Sequence, residues 1–144
     1  MNQIRNAKGF AHQRGIDNFA RVLRVLAENE NTPKKCSDLL SELHDQFPDL
    51  RELRNSAHHK EDRIRGLKHG KKIELDPIDS DTMKIPGGAI IIDGIINHKY
   101  TGTLGNGSIG TIEISHDTMV KLQKLCQRVF DSFEWTGPKS LSPY

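Results

Sequence analysis

The sequence has no long apolar run. The longest, Ala89-Ile90-Ile91-Ile92, is strand-sized and far short of the roughly 18 residues that read as a membrane span. The first residues lack the apolar stretch of a secretory signal. Cysteine is scarce: Cys36 and Cys126 are the only two. They form no metal-type spacing, they rule out a disulfide scaffold, and they suit a reducing cytoplasm. Net charge is small as well, +2, and by itself suggests no partner. The apolar fraction is 35% and mean hydropathy is −0.60, so the core is lean. No internal repeat is visible. What remains is a chain of 144 residues, the size of one domain, long enough to bury a core without staples.

The small net charge is a cancellation. Residues 1–72 carry 15 Lys and Arg against 10 Asp and Glu, and residues 73–144 carry 6 against 9. The excess gathers in residues 51–72, where Arg51, Arg54, Lys60, Arg63, Arg65, Lys68, Lys71 and Lys72 face only Glu52, Glu61 and Asp62. His58, His59 and His69 lie in the same stretch. A patch of this kind can hold phosphates. The plainer reading is the solvated face of a helix.

Apolar periodicity predicts four helices. The first runs from about Asp17 to Glu28, with Gly9 and Gly15 arguing against a continuous helix from Met1. The second starts at Ser37 as N-cap and carries Leu39, Leu40 and Leu43. The third opens at Phe47-Pro48, with Pro48 at the first helical position, and reads through Leu50, Leu53, Ala57 and Ile64 to a stop near Gly66–Gly70. The fourth spans about Ser115 to Glu134 with a broad apolar face from Met119 to Phe133. Between the third and fourth the period shifts towards 2: Lys72–Leu75, Ala89–Asp93, Ile95–Tyr100 and Ile109–Ile114 read as strand material. Asn106-Gly107 is a two-residue hairpin signal. The expected fold is mainly α: one domain over 1–144, a four-helix bundle with a small antiparallel β insertion at about 72–115 and a loose tail at 136–144.

One motif has the wrong context for its usual chemistry. Gly105-Asn106-Gly107-Ser108-Ile109-Gly110 matches GxGxxG. Dinucleotide binding needs a helix after it, with its N-terminus on the pyrophosphate. Thr111–Ser115 reads as a strand instead, so the glycines are assigned to a hairpin. A metal site from His58, His59 and Asp62 is equally disfavoured, because adjacent helical residues point about 100° apart. Cys36 and Cys126 are assigned to packing.

Residues 53–64 read Leu-Arg-Asn-Ser-Ala-His-His-Lys-Glu-Asp-Arg-Ile. Arg54-Asn55 followed by His59 resembles the Arg-Asn-x-x-x-His signature of the HEPN superfamily, small helical bundles of which many are metal-independent endoribonucleases of toxin–antitoxin and phage-defence systems. The likeness covers about twelve residues. It implies Arg54, Asn55 and His59 as catalytic residues, and the surrounding basic patch then assigns Arg51, His58, Lys60, Arg63, Arg65 and Lys68 to RNA binding. It also implies a homodimer, a protein antitoxin as partner, and no metal or cofactor. On a regular helix His58, four residues from Arg54, shares its face more closely than His59 does; the family spacing selects His59. Some HEPN toxins carry a tyrosine, modified by the antitoxin, where this chain has Glu61, so that regulation is not expected. Chemically, a histidine titrating near neutrality can take the proton of an RNA 2′-hydroxyl. The oxygen then attacks the adjacent phosphorus, and an arginine fork stabilises the charge that develops. The alternative is a non-catalytic HEPN-like module that binds RNA, a nucleotide or a protein.

Overall fold

The computed structural model describes residues 2–134, with side chains described from Gln13 onward. The tail expected at 136–144 lies outside the described residues. Five helices are present: α1 (Asn2–Glu28), α2 (Lys35–Gln46), α3 (Leu50–His58), α4 (Lys60–Ile64) and α5 (His116–Asp131). Between α4 and α5 lie seven short strands: β1 (Leu67–Lys68), β2 (Lys71–Lys72), β3 (Ile78–Ser80), β4 (Met83–Ile85), β5 (Gly94–Ile96), β6 (Lys99–Thr103) and β7 (Ile109–Glu113). They form two antiparallel pairs, β1–β2 and β3–β4, and one three-stranded antiparallel sheet in the order β5-β6-β7. Among the described residues no helix is long and apolar enough to cross a membrane.

This corrects the expected mainly α four-helix bundle: the fold is mixed, five helices with three small sheets. The reason lies in the core. Leu23 of α1, Leu39 and Leu43 of α2, Leu53 of α3 and Leu125 of α5 are at most 2% exposed, and they share one cluster with Tyr100, Leu104 and Ile112 from β6, the loop after it and β7. Burying each of these side chains contributes about 2 kcal/mol. The β segment therefore supplies part of the only sizeable core cluster of the described residues rather than decorating a finished bundle. α3 lies between α1 and the β6–β7 pair. A hydrogen bond fixes that position: the Thr111 amide donates to Asp49 Oδ2 at 2.9 Å.

Three local expectations change. α1 runs unbroken through Gly9 and Gly15; Gly15 is exposed, so its cost is that of a helical glycine, about 1 kcal/mol, while Gln13, Ile16, Ala20 and Leu23 bury one stripe around it. The stretch expected as a third helix is two, broken at His59 (φ −108°, ψ 41°). The break shifts the helical phase. Arg63 therefore turns inward at 4% exposed, and Ile64, read as apolar stripe, is 66% exposed.

The two-residue turns also sit elsewhere. Asn97-His98 (φ 50° and 60°) joins β5 to β6, and His69-Gly70 (φ 50° and 76°) joins β1 to β2. Consecutive left-handed residues give the turn twist that matches paired strands. Asn106-Gly107 does lie in a hairpin connection, but the loop between β6 and β7 has five residues, Leu104–Ser108. Gly107 is required there: its φ is 93°, and a Cβ would lie 1.8 Å from the Glu74 carbonyl oxygen. Since β7 follows directly, the GxGxxG string is structural. Ala89–Asp93 is not a strand. There the Ile91 amide donates to the Thr103 hydroxyl (2.8 Å) and the Thr103 amide to the Ile91 carbonyl (2.9 Å), a side chain standing in for half of a ladder.

Candidate functional site

Arg54 projects from the middle of α3 towards α1. Its Nη1 lies 3.5 Å from Asp17 Oδ1, and its Nη2 donates to Asn55 Oδ1 at 3.2 Å. The Asn55 amide nitrogen in turn lies 3.5 Å from Glu52 Oε1. Asn55 thus helps to orient the guanidinium, through the neighbouring position on the same helix. Arg54 opens into a polar cleft of about 290 Å³ between α1 and α3, lined by Gln13, Arg14, Asp17, Asn18, Arg21, Arg54, Ala57 and His58. Three arginines, one histidine and a single carboxylate, Asp17, are among these lining residues, so the cleft is rich in basic side chains. Buried Asp17 fixes one face of Arg54.

His58 shares this cleft, in keeping with its four-residue spacing from Arg54 on one helix face. His59 does not line it. As the residue between α3 and α4, His59 is exposed, and its ring stands beside that of His69 from the β1–β2 turn, centroids 5.9 Å apart and planes at 66°. The sequence motif therefore divides over two adjacent surfaces: Arg54 and His58 on one, His59 on the other.

The remaining expected RNA-binding cations separate by burial. Arg51, Arg65 and Lys68 are exposed. Arg65 pairs with Asp62 at 3.2 Å. Half-exposed Lys60 pairs with Asp93. Arg63 departs from the expected role, because its guanidinium is inside. Nε donates to Ser56 Oγ at 3.3 Å and Nη1 to the Leu67 carbonyl at 2.6 Å. No carboxylate pairs with it among the described residues. It clasps α3, α4 and β1 together and is withdrawn from solvent. Lys68 packs its stem beside Arg63 over Gly105, where a Cβ would come within 2.9 Å of Lys68 Cδ and 3.0 Å of Arg63 Nη2.

Just before β5, Asp93 accepts a 2.5 Å hydrogen bond from the Tyr100 hydroxyl as well as pairing with Lys60. Burial first, and then the Asp93 carboxylate, pushes the Tyr100 phenol well above its ordinary value of 10.0. Tyr100 is therefore a fixed hydrogen-bond donor. Burial also raises the Cys126 thiol, the larger of two opposing effects; both cysteines are free. Among the described residues no group of three or more His, Cys, Asp or Glu side chains is placed to hold a metal ion.

Arg14 and Arg21 are additions to the sequence reading. Their spacing with Asp17, at three and four residues along α1, marks one polar helix face. Nothing in the sequence says that this face meets Arg54. The chain matches no protein-family model, no curated protein and no solved structure.

Proposed function

We propose that this protein is a metal-independent endoribonuclease of toxin or phage-defence type, acting on RNA in a reducing cytoplasm. The observation that carries the proposal is the cleft in which Arg14, Arg21 and Arg54 converge beside His58. A guanidinium fork suits a phosphodiester, and a cleft rich in basic side chains raises the local concentration of an anionic chain. In this reading the cleft grips the RNA backbone, with His58 as a further phosphate ligand. Arg54, oriented by Asn55, stabilises charge on the phosphoryl oxygens from the cleft, and His59 takes the 2′-hydroxyl proton from the adjacent surface, so the RNA crosses the edge between the two. The 2′-oxygen displaces the 5′-oxygen, leaving 2′,3′-cyclic phosphate and 5′-hydroxyl ends. The resemblance to HEPN proteins supports the same assignment and extends it to a homodimer and a protein antitoxin. Phe19 on α1 and Met119 and Cys126 on α5 line an apolar groove, which in this reading a second copy covers.

The test is cleavage of single-stranded RNA in EDTA. Arg54→Ala and His59→Ala are each expected to lose at least about a hundredfold in kcat. His58→Ala is expected mainly to raise KM. Full activity in both Arg54→Ala and His59→Ala would sink the site. Loss of kcat in His58→Ala with His59→Ala intact moves the base into the cleft. A second reading, a non-catalytic RNA-binding module, is favoured by the Asp17 carboxylate, which already occupies part of Arg54. It expects binding that weakens steeply with salt and no turnover.

A further inference from the structure

Transesterification of RNA needs two proton transfers, one from the 2′-hydroxyl and one to the departing 5′-oxygen. The proposed site so far supplies a group for the first alone. Resting on that ribonuclease reading, we infer that His69, at the tip of the β1–β2 hairpin, is the general acid that protonates the 5′-oxygen while His59 acts as base.

The two imidazoles come from separate elements and meet with centroids 5.9 Å apart. Both are exposed. Each ring reaches about 3 Å to a proton it exchanges, so side by side they can address the attacking and leaving oxygens of one phosphodiester. The placement is built rather than incidental. His69 is held at φ 50° by the two-residue turn, with Gly70 at 76° and Lys68 opposite Lys71. His59 is held at the seam of α3 and α4. The buried Arg63 joins the two supports through Ser56 on α3 and the Leu67 carbonyl on β1. Lys68 and Lys71 flank the turn, both exposed, and favour an anion there.

The step balances without a further reactant. His59 accepts the 2′-hydroxyl proton as the 2′-oxygen–phosphorus bond forms. The phosphorus–5′-oxygen bond breaks, and the His69 imidazolium delivers its proton to that oxygen. Exchange with water then returns both rings to their starting states.

A substrate whose 5′-oxygen is replaced by sulfur tests the role, because a thiolate leaves without needing a proton. His69→Asn is the variant, since asparagine tolerates the left-handed backbone that the turn imposes. On ordinary RNA, His69→Asn should lose about a hundredfold in kcat. On the 5′-thio substrate it should return to within about threefold of wild type, while His59→Asn stays impaired on both, on the same estimate of one lost proton transfer. Equal loss on both substrates, or no loss on ordinary RNA, overturns the acid role of His69 and leaves the ribonuclease reading standing. A wild type that cleaves neither substrate overturns both.

Discussion

Arg63 is the most heavily committed charged residue of the described chain. A buried guanidinium is tolerable only if its N–H groups are satisfied, and here one neutral hydroxyl and one carbonyl accept from it. Removing it leaves buried Ser56 and the half-buried Leu67 carbonyl without their donor, so Arg63→Ala should cost about 2–4 kcal/mol in chemical denaturation. Arg63→Lys should recover little, because a single ammonium cannot point in both directions. Tyr100 makes a second prediction at this scale. Its folded-state pKa lies above the unfolded value of 10.0, so the folded form keeps its proton where the unfolded form has lost it. The resulting stability is complete below pH 10 and declines as pH rises above it. Urea titrations from pH 9 to 11 should show that decline in wild type and a shallower one in Tyr100→Phe.

At the scale of elements, the ends of helices decide what the sequence reveals. α5 was legible because Ser115 caps it, accepting from the Thr118 amide at 3.1 Å, ahead of a regular apolar period. Ser115→Ala should cost about 1 kcal/mol. The α3–α4 break was not legible. No Gly or Pro lies between Pro48 and Gly66, and in the sequence the helical period runs on because Ala57 and Ile64 are seven residues apart. The turns were half legible. Asn106-Gly107 marks a hairpin connection, but the two-residue turns are His69-Gly70, Asp81-Thr82 and Asn97-His98, and two of the three contain a histidine. Gly107→Ala is expected to disrupt the β6–β7 loop, since both the backbone angle and the Glu74 carbonyl oppose a side chain. Loss of the cooperative melt, or a fall of several degrees in Tm, would register it.

For the whole molecule, apolar periodicity pointed to the wrong architecture. Strands of two to five residues carry too few apolar positions to announce that they share a core with helices. Tyr100, Leu104 and Ile112 are nonetheless buried with Leu23, Leu39 and Leu125. Replacing residues 67–113 by a short Gly-Ser linker should therefore abolish cooperative unfolding by circular dichroism. An intact melt would restore the picture of a bundle with an insertion. The candidate cleft shows the same limit: Arg54 and His58 stand out within one segment, whereas Arg14 and Arg21 join them only through the packing of α1 on α3. The Arg63 clasp has a further consequence, in the order of events during folding. Ser56, Arg63 and Leu67 fall within a dozen residues, so the loop closed between them is short, whereas Arg128 of α5 meets Glu42 of α2 across 86 residues. The clasp should form early, and in stopped-flow measurements Arg63→Ala should slow refolding more than it speeds unfolding.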